Sequence, residues 1–132
     1  MKKSKVYQPS EVELEILQIL WEKQPASVRL VYESILENRE VGYTTILTFM
    51  QRMTKKGILV RTKKGKTHFY KAVPKEKEVQ DTFFNKLLKN VYKGSSMKLM
   101  IHALGQDHGQ ITEADLDELQ RLIEVKKKQS NL

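Results

Sequence analysis

The sequence predicts a mainly α chain interrupted by one short β-hairpin, and three observations predict it. Six stretches place apolar residues at helical spacing. Residues 58–73 switch to β-branched and aromatic types around a glycine. Ser, Thr and Gly stand where those helices would begin and end.

Residues 1–9 lack any such pattern and are expected to form a frayed arm. Ser10 opens a first helix, and Glu13 three residues later completes a capping box. Val12, Ile16, Leu17, Ile19, Leu20 and Trp21 give that helix a wide apolar stripe to about residue 23. Trp21, the single tryptophan, belongs to core packing. Gln24-Pro25-Ala26 breaks the helix, and Ser27 caps a second one. Its buried side is Val28, Leu30, Val31, Ile35 and Leu36, and it should stop near Asn38.

A short link, Arg39-Glu40-Val41-Gly42, leads into a third helix from Tyr43, which Gly57 ends. Ile46, Phe49, Met50 and Met53 fall on one side of it. Thr45, Thr48, Arg52 and Lys55 fall on the other, a face without an acid. Two helices joined by a short glycine-containing link, the second polar and basic outside, form the helix-turn-helix pattern. In a DNA major groove such threonines and arginine reach base edges or phosphates.

Ile58–Thr62 and Thr67–Val73 then read as strands around a turn, Lys63-Lys64-Gly65-Lys66. A cationic hairpin after a recognition helix is a wing, its lysines beside phosphates. The competing reading is an ordinary solvated hairpin. Three lysines crowded at one turn repel each other, and nearby phosphate relieves that repulsion.

Pro74 closes this part, so the domains are expected at 1–74 and 75–132. Val79, Phe83, Leu87, Leu88 and Val91 mark a fourth helix, ended at Gly94. Ser95 or Ser96 caps a fifth with Met97, Leu99, Met100, Ile101, Ala103 and Leu104. After a loop at 105–110, Thr112 and Asp115 form a second capping box. The last helix shows Leu116, Leu119, Leu122, Ile123 and Val125, then a Lys126–Lys128 tail. Three helices of this size do not close a core alone. They are expected to dock on a second copy through Phe83, Leu87, Met97, Met100, Ile101, Leu116, Leu119, Leu122 and Ile123. Packing back on the first domain is the alternative. A twofold dimer would set two recognition helices about one turn apart on a palindrome.

The 132 residues carry a net charge of +8. Residues 1–74 hold 14 Lys/Arg against 7 Asp/Glu, whereas residues 75–132 hold 10 against 9. From Val41 to Val73 every charge is positive: Arg52, Lys55, Lys56, Arg61, Lys63, Lys64, Lys66 and Lys71. A solvated surface mixes both signs, so this run points to a polyanion. The chain has no cysteine, which excludes disulfides and thiolate metal sites and suits the cytoplasm. Met-Lys-Lys-Ser-Lys is followed by no apolar run, so no secretory signal and no membrane association are expected.

His68, His102 and His108 are scattered, and a metal site from His102, Asp107 and His108 lacks the tight spacing of ligand sets. Asp115, Asp117 and Glu118 are helix-start charges. With no phosphate loop and no nucleophile–base arrangement, the chain is expected to be neither an enzyme nor a cofactor binder.

Leu17-Gln-Ile-Leu-Trp21, Val28, Tyr43-Thr-Thr-Ile-Leu-Thr48, Gln51-Arg-Met53, Lys55-Lys-Gly57 and Phe69-Tyr-Lys-Ala-Val-Pro74 together resemble the penicillinase and methicillin-resistance repressor (BlaI/MecI) family. The likeness is close over residues 10–74 and looser to about 125. It implies a winged helix-turn-helix N-terminal domain, a three-helix dimerisation domain and repression at a promoter palindrome. It implies that Thr44, Thr45, Thr48 and Arg52 face double-stranded operator DNA and that Lys63, Lys64 and Lys66 lie on the wing; Lys55 joins that DNA-binding face by its helical spacing. Release of such a repressor is left open between cleavage by a protease, a ligand and an antirepressor. Family members that answer β-lactams are cut at an Asn-Phe bond; the matching place here is His102-Ala103. The copper-responsive branch has a C-terminal cysteine cluster, which this chain lacks. A winged-helix adaptor docking an acidic protein is the alternative function.

Overall fold

Local sequence signals and their hydrogen bonds set most element boundaries. A computed structural model describes residues 7–131; most of the expected N-terminal arm lies outside them. Helix α1 spans Glu11–Lys23. The Glu13 N–H donates to Ser10 Oγ at 3.4 Å, and the Ser10 N–H donates to Glu13 Oε1 at 2.9 Å. Helix α2 spans Val28–Leu36, and Ser27 Oγ accepts from the Leu30 N–H at 3.2 Å. It stops short of Asn38 because the N–H groups of Asn38 and Arg39 both turn back to the Ile35 carbonyl, each at 3.0 Å.

Helix α3 spans Tyr43–Lys55, and Gly57 follows with φ +81°. That left-handed turn lets the Ile58 N–H reach the Met53 carbonyl at 2.8 Å. Strands β1, Leu59–Lys64, and β2, Thr67–Ala72, pair antiparallel from Leu59↔Ala72 to Lys64↔Thr67. The turn is therefore tighter than the sequence suggests. Only Gly65 and Lys66 remain in it, and Gly65 takes φ +63°. Ala26 and Tyr70 exchange backbone bonds of 3.1 and 2.8 Å, which pins the α1–α2 link to β2.

Ile16, Leu17 and Leu20 of α1, Val31 and Ile35 of α2, Ile46, Met50 and Met53 of α3, Leu59 and Tyr70 form one buried cluster. Each such apolar side chain contributes about 1.5–3 kcal/mol when fully buried. Phe49 packs half-buried at its edge, as does Trp21, whose indole Nε1–H donates to the Pro74 carbonyl at 2.9 Å. This is a winged helix-turn-helix within a mainly helical chain.

Helix α4, Glu76–Asn90, contains the division between two compact units, which falls between Lys86 and Leu87. In the first unit Val79 is buried and Lys86 Nζ donates to Gln8 Oε1 at 2.7 Å. The second holds α5, Ser96–Gly105, and α6, Glu113–Ser130. Ser95 caps α5, and Thr112 with Asp115 forms the capping box of α6. Helix α6 runs on through Lys126–Lys128, with Lys127 and Lys128 in its last turn, at the helix C-terminus their sequence suits. Lysine is a good helix former and is favoured near the negative end of the helix dipole. No helix of the described residues is long and apolar enough to cross a membrane.

Candidate nucleic-acid interface

Helix α3 has the two faces its spacing implies. Ile46, Met50 and Met53 are fully buried against α1, α2 and β1, which fixes the helix about its axis. Thr44, Thr45, Arg52 and Lys55 are consequently exposed, and Thr48 is half-buried between them. The entry to α3 is held by Arg39, whose guanidinium donates to Glu11 Oε1 at 2.5 Å and lies 2.8 Å from Glu15 Oε1 on α1. Its exit touches α1 too, with Lys56 Nζ 4.0 Å from Glu13 Oε2. Beside that carboxylate the Tyr7 hydroxyl is buried, and burial first, then the Glu13 charge, pushes its pKa well above the usual phenol range, so it stays protonated.

The hairpin follows α3 in the chain and adds further positive charge. Lys63 lies opposite His68 and Lys64 opposite Thr67, while Lys66 is in the turn; all three lysines are exposed. Because neighbours on a strand point to opposite faces, Lys63 shares the face of Leu59 and Tyr70, and Lys64 takes the outer one. The lysines therefore straddle the hairpin instead of crowding one turn. His68 is half-buried, and its Nδ1 is buried without a hydrogen-bond partner.

Among the described residues no ion pair involves Arg52, Lys55, Lys63, Lys64 or Lys66. Among those residues these cations have no carboxylate to exchange for a phosphate. A second group of residues borders the surface without a sequence signal. The Arg29 guanidinium carbon lies 5.5 Å from the centre of the Tyr43 ring. Tyr43 also meets Tyr32 edge to face at 5.5 Å and 84°.

The expected self-docking residues lie mainly in the other unit. Phe83 is half-buried, whereas Leu87, Met97, Met100, Ile101, Leu116, Leu119, Leu122 and Ile123 are exposed. Met97, Met100, Ile101 and Leu104 face Leu119, Leu122 and Ile123 across an open groove of about 990 Å³. Among the described residues of α5 and α6 no side chain is buried. The weak metal candidate is otherwise engaged. His102 Nδ1 lies 2.6 Å from the Tyr92 hydroxyl, and the Asp107 carboxylate accepts from the N–H groups of Gly109, Gln110 and Ile111. Among the described residues no three acids or histidines are grouped to hold a metal.

Residues 9–125 match the penicillinase repressor family. The methicillin resistance regulatory protein MecI of Mammaliicoccus sciuri is 27% identical over 123 residues, covering 93% of this chain and 98% of that one. The transcriptional regulator BlaI of Mycobacterium tuberculosis is 26% identical over 122 residues, 89% of this chain and 88% of its own. The penicillinase repressor of Bacillus licheniformis is 24% identical over 123 residues, 93% and 94% of the two chains. With a family match over nearly its whole length and the winged-helix fold beneath it, the chain belongs to the penicillinase repressor family, whose members are transcriptional repressors and not enzymes.

Proposed function

We propose that this protein represses transcription as a homodimer bound to a promoter palindrome, with α3 in the major groove and the hairpin as a lysine wing on phosphates. One observation carries the DNA part: a largely exposed, acid-free face on α3 followed in the chain by a hairpin whose cations form no ion pair among the described residues. Phosphate contacts supply affinity and orientation, and base-edge contacts supply sequence choice. Arg52 and the three threonines, Thr44, Thr45 and Thr48, take the second role. Lys55, Lys63, Lys64 and Lys66 take the first. Lys63 and Lys64 would serve phosphates on the two sides of the wing.

The dimer part rests on unburied apolar surface. Met97 is 61% exposed and Ile101 63%, so in isolation α5 and α6 hold a groove open to water. At about 25 cal/mol per Å² of apolar surface, covering that groove is strongly favourable. A second copy offers a matching surface, and residues 75–132 would be the dimerisation domain. Release by proteolysis, a ligand or an antirepressor belongs to the same reading.

Fragments selected from a random-sequence DNA library should share a twofold-symmetric motif. On that duplex Arg52→Ala should cost ~1–3 kcal/mol and relax the choice of base at one position per half-site. Lys64→Ala should weaken selected and scrambled duplexes alike and lower the salt slope by about one. Equal affinity for every sequence would instead favour an adaptor docking an acidic protein.

A further inference from the structure

Arg29 and Tyr43 are separated in the chain yet meet at the start of the surface assigned to DNA. Arg29 is the second residue of α2, and Tyr43 is the first of α3, next to the exposed Thr44 and Thr45. The guanidinium lies over the ring at 5.5 Å, and Tyr32 braces the ring edge to face. Tyr43 is 38% exposed, so the pair is at the surface. An arginine on an aromatic face loses side-chain freedom before any ligand arrives, and its outer N–H groups remain available as a planar fork.

Among the described residues Glu33 is the one carboxylate paired with Arg29, at 3.7 Å, with both side chains well exposed. A pair of that kind is worth little and yields readily to a better acceptor. In a helix-turn-helix the helix before the recognition helix crosses the DNA backbone. Its first turn carries Arg29 here. Resting on the DNA reading above, we propose that Arg29 is a phosphate contact of α2 and that Tyr43 is its positioning residue. The ring holds the guanidinium beside the reading face, and the phosphate replaces Glu33. The contact would set the register of α3 in the groove without choosing a base.

The test is a salt titration by fluorescence anisotropy, using a fluorescein-labelled duplex selected from a random library and its scrambled counterpart. Arg29→Ala should weaken both duplexes by the same factor and reduce the slope of log K against log [KCl] by about 0.9, the release of one phosphate's counterions. Tyr43→Leu keeps every charge and should lose part of the same affinity, whereas Tyr43→Phe keeps the ring and should behave as wild type. In the Arg29→Ala background Tyr43→Leu should have no further effect. Unchanged affinity and slope for Arg29→Ala would overturn the proposal, as would a full Tyr43→Leu effect without Arg29. Arg52→Ala in the same series separates the two readings. If Arg52→Ala discriminates sequences less and Arg29→Ala is silent, only this inference fails. If both are silent, the α3 interface fails with it.

Discussion

Thr112 and Asp115 show what a single residue can do in a unit without a core. The Thr112 N–H donates to Asp115 Oδ2 at 3.0 Å, and the Asp115 N–H donates to Thr112 Oγ1 at 3.1 Å. The Thr112 backbone N–H, then its side chain, hold the Asp115 carboxyl below its ordinary value of 3.8. Because the folded value is the lower one, the stabilisation is complete above 3.8 and is lost as pH falls through the folded value. Asp115→Asn should therefore reduce helicity at neutral pH, and its difference from wild type should vanish at strongly acidic pH. Circular dichroism at 222 nm across an acid titration reads this; a difference that persists at low pH would refute it. The caps at Ser10, Ser27 and Thr112 are legible in the sequence because each joins residues three apart. The bonds of Arg39 to Glu11 and of Trp21 to Pro74 span 28 and 53 residues, and no local pattern announces them. The same reason hides Arg29 beside Tyr43.

Elements obey the same division. The apolar face of α3 follows from its spacing, because period fixes which side is buried before any partner is known. The hairpin is legible as a hairpin but not in its register. Lys63 and Lys64 look like turn residues by composition, and backbone pairing makes them strand residues. What decides between the two is Gly65, which stands first in the two-residue turn with φ +63°. An added Cβ there would meet nothing within 4 Å, so the cost of a side chain is purely one of backbone conformation. Gly65→Ala should cost about 1–2 kcal/mol in urea denaturation. Gly65→Asn should cost less, since asparagine tolerates the left-handed region. Equal losses for both would mean that the turn is not held by that conformation.

At the scale of the molecule, the two compact units differ in kind. The first has a buried cluster drawn from α1, α2, α3 and the hairpin; the second has α5 and α6 with their apolar faces open. Leu122→Glu would put a carboxylate into the groove wall, where a second copy would have to desolvate it. Sedimentation should then show a monomer, and operator affinity should fall by more than about tenfold, since one half-site must bind alone. A wild-type chain that sediments as a monomer at every concentration would remove the dimer reading. The division of α4 between the units is not visible in composition. Val79 and Leu87 lie on the same apolar stripe, yet Val79 is buried while Leu87 is 44% exposed.

A dimer closed over the open groove would also tie this protein's behaviour to its own abundance. If assembly is what dries Met97, Ile101 and Leu122, folding free energy includes a mass-action term, and the thermal midpoint must climb as the solution is made more concentrated. Promoter occupancy would then rise with roughly the square of the monomer level when the chain is scarce. A modest dip in synthesis would open the gene more sharply than a simple one-to-one binder allows.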